Sequence, residues 1–199
     1  MGKGKRMKLI LASASPRRRE LLQMAGYDFR CLPAEGPEEI PEGMPAEEVP
    51  SFLAQQKAEE IRRCCPEDVV IGSDTIVCLG SEIMGKPADE EDAVRMLAEL
   101  SGRCHRVITG VAVLWPDGRE VFTSVAEVEF FPLDEQEIRA YVASGEPMDK
   151  AGAYGIQGLG GLLVSRINGD YYTIVGLPVG RTVRCLRKHF PGAFLTEGQ

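Results

Sequence analysis

Short apolar runs of strand length alternate along this chain with segments whose apolar residues recur every three or four positions, and that alternation constrains the fold more than any other feature. The first run, residues 8–12, ends in Ser13-Ala14-Ser15-Pro16, and residues 17–25 then carry Leu21, Leu22 and Ala25 on one face. Strand, loop, helix is the natural parse: Ser15 is placed to cap the helix, Pro16 suits its first position and Gly26 its stop. A second strand is expected at residues 28–32, followed over 33–45 by a Pro-, Gly- and Glu-rich loop long enough to be functional or mobile. Val49, Phe52, Leu53, Lys57 and Ile61 predict a helix over about 47–65, with Pro50 in its first turn. Residues 69–79 read as a buried strand interrupted by Gly72-Ser73-Asp74-Thr75, turned back by Gly80-Ser81-Glu82 toward Gly85-Lys86-Pro87.

A helix over 89–100 stops at Ser101-Gly102, and strands near 103–115 and 120–131 flank Pro116-Asp117-Gly118 as a hairpin. Beyond a helix over 134–144 comes a Gly-rich stretch, 152–161; residues 162–167 are expected to pair across Asn168-Gly169 with 171–175. Residues 178–189 close the domain as a helix. The pattern predicts an α/β fold around a mixed sheet, in a single domain over 7–190, with residues 1–6 a flexible extension and 191–199 a tail.

The formal net charge of −7 argues against a nucleic-acid partner, because binding a phosphate backbone needs clustered positive charge. No run of about 18 apolar residues is present, so no membrane partner is expected. The apolar run after the basic start is too short for a signal-peptide core, which predicts a cytoplasmic protein. The six cysteines are scattered without a C-x-x-C pair, and His105 and His189 are the only imidazoles. Reduced, mostly buried thiols are expected, and a zinc site is not. Neither G-x-x-x-x-G-K-[ST] nor a strand followed by G-x-G-x-x-G occurs.

Four places can carry chemistry. Ser15, Arg17 and Arg18 stand at a strand-to-helix junction, where free N–H groups and guanidinium charge make a phosphate cradle; a capped helix with solvated arginines uses the same residues. Asp74 interrupts a buried strand, and burying a carboxylate is costly unless it is paired, bound to a metal or satisfied by backbone amides. Lys57 on its helix and Lys86 between Gly85 and Pro87 are cations either for a ligand or for solvent. In Asp149-Lys150-Ala151-Gly152-Ala153-Tyr154-Gly155-Ile156-Gln157-Gly158, the glycines and a single amide suit either a loop that closes on a base or a flexible turn. Residue chemistry alone reaches an anionic-ligand site.

Taken in order, Ser-Pro-Arg-Arg, Gly-Ser-Asp-Thr-Ile-Val, Gly-Lys-Pro, Asp-Lys-Ala-Gly-Ala-Tyr-Gly-Ile-Gln-Gly and Val-Gly-Leu-Pro resemble the Maf family of nucleotide pyrophosphatases, from about Lys8 to Phe190. The resemblance implies a mixed twisted sheet flanked by helices, in two lobes around a central cleft (Maf/ITPase-like), and cleavage of nucleoside triphosphates between the α and β phosphates. It implies a divalent cation, magnesium or alternatively manganese. Asp74 matches the catalytic aspartate, Lys57 and Lys86 the phosphate-side lysines, and Ser15 with Arg18 the Ser-x-x-Arg signature. Glu38 falls where the family has an acidic residue and joins Asp74 as an implied metal ligand, although Pro37 precedes it where an acidic residue is more usual. Arg17, Thr75 and Gln157 match the branch that takes dTTP and UTP. The implied partners are small-molecule nucleoside triphosphates, with a homodimer among the allowed assemblies. The rival is a nucleotide-binding regulator of cell division without catalysis.

Overall fold

The computed structural model describes residues 7–196, so the expected extension over 1–6 and the end of the expected tail lie outside the described residues. The chain runs β1 (Leu9–Leu11), α1 (Pro16–Met24), β2 (Arg30–Cys31), α2 (Val49–Cys64), β3 (Val69–Leu79), β4 (Glu82–Met84), α3 (Glu90–Leu100), β5 (Cys104–Trp115), β6 (Gly118–Phe130) and α4 (Glu135–Val142). Three short 3-10 helices follow, at Glu146–Asp149, Ala151–Ala153 and Gly158–Leu163, and then β7 (Val164–Asn168), α5 (Tyr171–Val175) and α6 (Val179–His189). The seven strands make one mixed sheet, ordered β2-β1-β3-β5-β6-β7 with β4 on β3, and helices flank it. The α/β expectation holds. Two compact units share β3, β5 and β6: one takes the described residues up to Asp74, Gly110–Thr123 and those from Gly176 onward; the other takes Thr75–Thr109 and Ser124–Val175.

In the first unit, β1 pairs in parallel with β2 and with β3, Leu9 opposite Val69 and Leu11 opposite Ile71. Every residue of β1 and of Val69–Ile71 is at most 2% exposed, as parallel strands covered on both faces must be. Helix α2 packs through Ala54, Ala58 and Ile61 against Ile10, Val70, Ala112 and Leu114. Two glycines permit the approach. A Cβ on Gly72 would stand 2.0 Å from the Ala54 carbonyl oxygen, and one on Gly110 would stand 2.2 Å from the carbonyl carbon of Pro50. Residues 191–196 fold back onto this unit: Leu195 bridges Tyr27, and the Asp28 N–H donates to the Phe194 carbonyl at 2.6 Å.

In the second unit, α3 starts at Asp89, whose carboxylate accepts the Asp92 N–H, and α4 starts in a capping box between Asp134 and Glu137. Ala93, Met96, Leu97 and Leu100 of α3 bury against Val107, Val128, Phe130 and the Ile138, Tyr141 and Val142 face of α4. The expected hairpin across Asn168-Gly169 does not form. Strand β7 pairs antiparallel with β6 instead, Ile167 opposite Val128, and residues 171–175 are helix α5. The reason is local: Asp170 captures the Tyr172 N–H at 3.1 Å and the Thr173 hydroxyl at 3.1 Å, which starts a helical turn where a returning strand needs free amides.

The thiols also differ from expectation. Cys78 and Cys185 are buried and Cys65 is intermediate, but Cys31, Cys64 and Cys104 are exposed because they fall at an edge strand, a helix end and a strand start. Among the described residues, no helix is long and apolar enough to cross a membrane.

Candidate active site

The carboxyl ends of parallel strands are where open α/β sheets bind ligands, and two of the sequence motifs arrive there together. Leu11 of β1 and Ile71 of β3 are register partners; Ser13 and Ser15 follow the first, and Ser73 and Asp74 the second. The Ser15 hydroxyl caps α1 by accepting the Arg18 N–H at 3.4 Å, and Pro16 opens the helix. The Arg18 side chain turns back across this junction, Nε donating to the Gly176 carbonyl at 2.8 Å and Nη1 to Ser13 Oγ at 3.4 Å. Ser73 Oγ, fully buried, lies 3.0 Å from the same Gly176 carbonyl and 3.1 Å from that of Gly110. Burial lowers the Arg18 pKa, against the attraction of the Asp74 carboxylate and in concert with Arg17; Glu38 adds a weaker attraction. Arg17, one residue earlier on α1, is half-buried.

Asp74 is 8% exposed, and its Oδ1 lies 2.5 Å from Nζ of Lys57. Lys57 stands one residue before Ala58 on the buried stripe of α2, so the helix contact that requires Gly72 also sets the reach of its ammonium. The same Nζ lies 2.8 Å from Oε1 of Glu38. Glu38 is brought in by the loop after β2, which α2 holds at three points: Glu60 accepts the N–H groups of Glu35 and Gly36 at 2.8 and 3.1 Å, and Gln56 donates to the Pro37 carbonyl at 3.1 Å. Glu38, Lys57 and Asp74 therefore share one ion cluster, with the Arg18 guanidinium electrostatically coupled to both carboxylates.

Thr75, Lys86 and Gln157 belong to the second unit. Thr109 donates to the Thr173 carbonyl at 2.7 Å, so in the 2.8 Å contact between the two threonine hydroxyls Thr75 is the donor. Lys86 is exposed, and its neighbour Gly85 accepts the N–H of Gly152. Gln157 is exposed on a loop fixed from both sides. Glu146 accepts the Leu159 and Gly160 N–H groups at 3.0 Å each and the Tyr141 hydroxyl at 3.0 Å, while that hydroxyl accepts the Gly155 N–H at 3.2 Å. On the upstream side, the Tyr154 hydroxyl lies 2.8 Å from Nε2 of buried His105.

Sequence reasoning placed Ser13 and Ser73 inside its motifs without assigning them these hydrogen bonds, and it missed the supporting roles of Gln56, Glu60, Glu146 and Gly176. Of those four, Gly176 alone falls in a motif the sequence reading used, Val-Gly-Leu-Pro. Separately, in the first unit, Glu120, Cys185 and His189 bring one carboxylate, one thiol and one imidazole ligand atom within 4.8 Å of one another.

What emerges is an α/β protein in which β3, α1, α2 and the loop after β2 bring a carboxylate, a guanidinium, an ammonium and a second acid to one place. The family described as Maf-like protein matches residues 8–189, and the chain belongs to that family. A dTTP/UTP pyrophosphatase of Bacillus pumilus is 50% identical over 179 residues, covering 89% of this chain and 94% of that protein. Another, from Aquifex aeolicus, is 47% identical over 182 residues, covering 92% and 95%. Among solved structures, the Staphylococcus aureus Ham1 protein matches with a TM-score of 0.45 at 18% identity, over 61% of this chain and 71% of that one.

Proposed function

We propose that this chain is a pyrophosphatase that hydrolyses dTTP and UTP to the nucleoside monophosphate and pyrophosphate. The observation that carries the reading is the Glu38–Lys57–Asp74 cluster beside Arg18, in a member of a family whose relatives bear that activity in their names. Asp74 accepts a proton from a water whose oxygen attacks the α-phosphorus; the new P–O bond forms as the bond to the bridging oxygen breaks, and pyrophosphate leaves. Lys57 has three N–H donors, two directed at carboxylates, so one is free in number for a phosphate oxygen. The capped start of α1, with Arg17 and Arg18, receives phosphate charge through N–H groups and guanidinium.

A divalent cation fits the donor set. Asp74 and Glu38 each have a second carboxylate oxygen beside the one that meets Lys57, hard donors that would suit magnesium or manganese held by one or two carboxylates together with substrate phosphates. When bound, such an ion supplies charge neutralisation to the triphosphate. Lys86 is assigned to the phosphates, and Thr75 with Gln157 to pyrimidine selection.

A panel of canonical nucleoside triphosphates with magnesium, scored for pyrophosphate against orthophosphate, tests the proposal. Pyrophosphate released preferentially from dTTP and UTP is expected. Tight binding without release supports a non-catalytic nucleotide-binding regulator, and orthophosphate as the first product removes the proposed bond cleavage.

A further inference from the structure

Helix α6 places Cys185 and His189 four residues apart, hence on one face, and Glu120 of β6 lies against that face within the same compact unit. Their ligand atoms lie within 4.8 Å of one another. Glu120 Oε2 is 2.8 Å from Nε2 of His189, and the Trp115 ring packs on the imidazole with a centroid separation of 4.4 Å. Cys185 is 2% exposed, whereas the side chains of Glu120 and His189 are 31% and 25% exposed. The sulfur is buried, whereas the imidazole and the carboxylate within 4.8 Å of it keep part of their surface open to solvent. None of the three belongs to the Asp74 cluster.

We propose that Glu120, Cys185 and His189 form a second metal site, for a borderline-soft divalent cation of the zinc or cobalt type. Thiolate with imidazole selects such ions over magnesium, and three protein ligands leave a fourth tetrahedral position for water. The site ties the last helix to β6. Two features oppose occupancy and make the proposal specific. Lys188 Nζ also contacts Glu120 Oε2, at 2.9 Å, and competes with a cation for that oxygen. Burial, reinforced by Glu120, holds the Cys185 thiol protonated, so binding must release a proton.

Cobalt(II) alone, titrated into the reduced, chelator-treated full chain, tests this by absorption spectroscopy. One equivalent is expected to produce a thiolate-to-cobalt charge-transfer band and tetrahedral ligand-field bands, both bleached by zinc. The band survives when the exposed thiols are removed together (Cys31→Ser, Cys64→Ser, Cys104→Ser) and disappears in Cys185→Ser. His189→Gln, at the end of α6, weakens binding about tenfold or more, and Lys188→Ala tightens it. No charge-transfer band in the unmodified chain, or a band that persists in Cys185→Ser, overturns the proposal. If Cys185→Ser does not fold, an unchanged cobalt affinity in His189→Gln overturns it.

Discussion

Nζ of Lys57 lies 2.5 Å from Oδ1 of Asp74, although one residue belongs to helix α2 and the other to strand β3. A half-buried ammonium and a buried carboxylate each have little water to return to, so each depends on the other for compensation.

Lys57→Met keeps most of the side-chain volume and removes the cation. Asp74 is then left without its ammonium, and kcat/KM for dTTP is expected to fall about 100-fold or more. The urea midpoint should drop by the equivalent of about 1–3 kcal/mol, the cost of stranding a buried polar group. Steady-state kinetics and equilibrium unfolding measure both; activity within twofold of the unaltered chain contradicts the assigned role.

Gly72→Ala tests whether helix contact sets the cluster. Its new Cβ would fall 2.0 Å from the Ala54 carbonyl oxygen, so α2 must move away and take Lys57 with it. Overpacking of this kind costs about 1–3 kcal/mol. Activity measured where the variant is fully folded is expected to fall as well, whereas a purely structural glycine would alter the melting temperature alone.

Gln157 sits exposed on a loop held by Glu146, Tyr141 and His105, so a change there should leave stability within about 0.5 kcal/mol. Gln157→Glu is expected to lower kcat/KM for UTP relative to GTP by about tenfold, because a carboxylate cannot donate to a base edge. An unchanged ratio removes Gln157 from selection of the base.

His105 is 1% exposed, packs edge-on against Phe130 and Tyr154, and has no hydrogen-bond partner for Nδ1 among the described residues. Burial depresses its pKa from 6.5 to about 4. Between those values the unfolded chain binds the extra proton and the folded chain does not, so stability is complete above pH 6.5 and declines as pH falls through the window toward 4. The decline amounts to about 3 kcal/mol. Urea unfolding from pH 4 to 7 measures it, and His105→Phe should remove nearly one proton from the slope; an unaltered slope contradicts the assignment.

Local punctuation makes much of the fold legible in the sequence. Ser15, Pro16 and Gly26 mark α1, and the apolar residues of 69–79 mark β3, because caps and continuous burial are written in residues close together. Asp170 defeats the reading of 162–175: Asn168-Gly169 signals a hairpin, but the side chain that decides the matter comes one residue later and starts a helix. The charged members of the site are legible as types and motifs. Their supports are not, since Gly176 serves Arg18 through its carbonyl and Glu60 serves Glu38 by gripping the loop before it. The Cys185 and His189 spacing acquires meaning only when β6 supplies Glu120.

Asp74→Asn is the most direct test, because it keeps the size of the side chain and removes the proposed proton acceptor. With dTTP and magnesium under single-turnover conditions, pyrophosphate release is expected to slow by about 10²–10⁴-fold while nucleotide affinity changes little. Release at a rate near that of the unaltered chain contradicts the account of Asp74 as the general base.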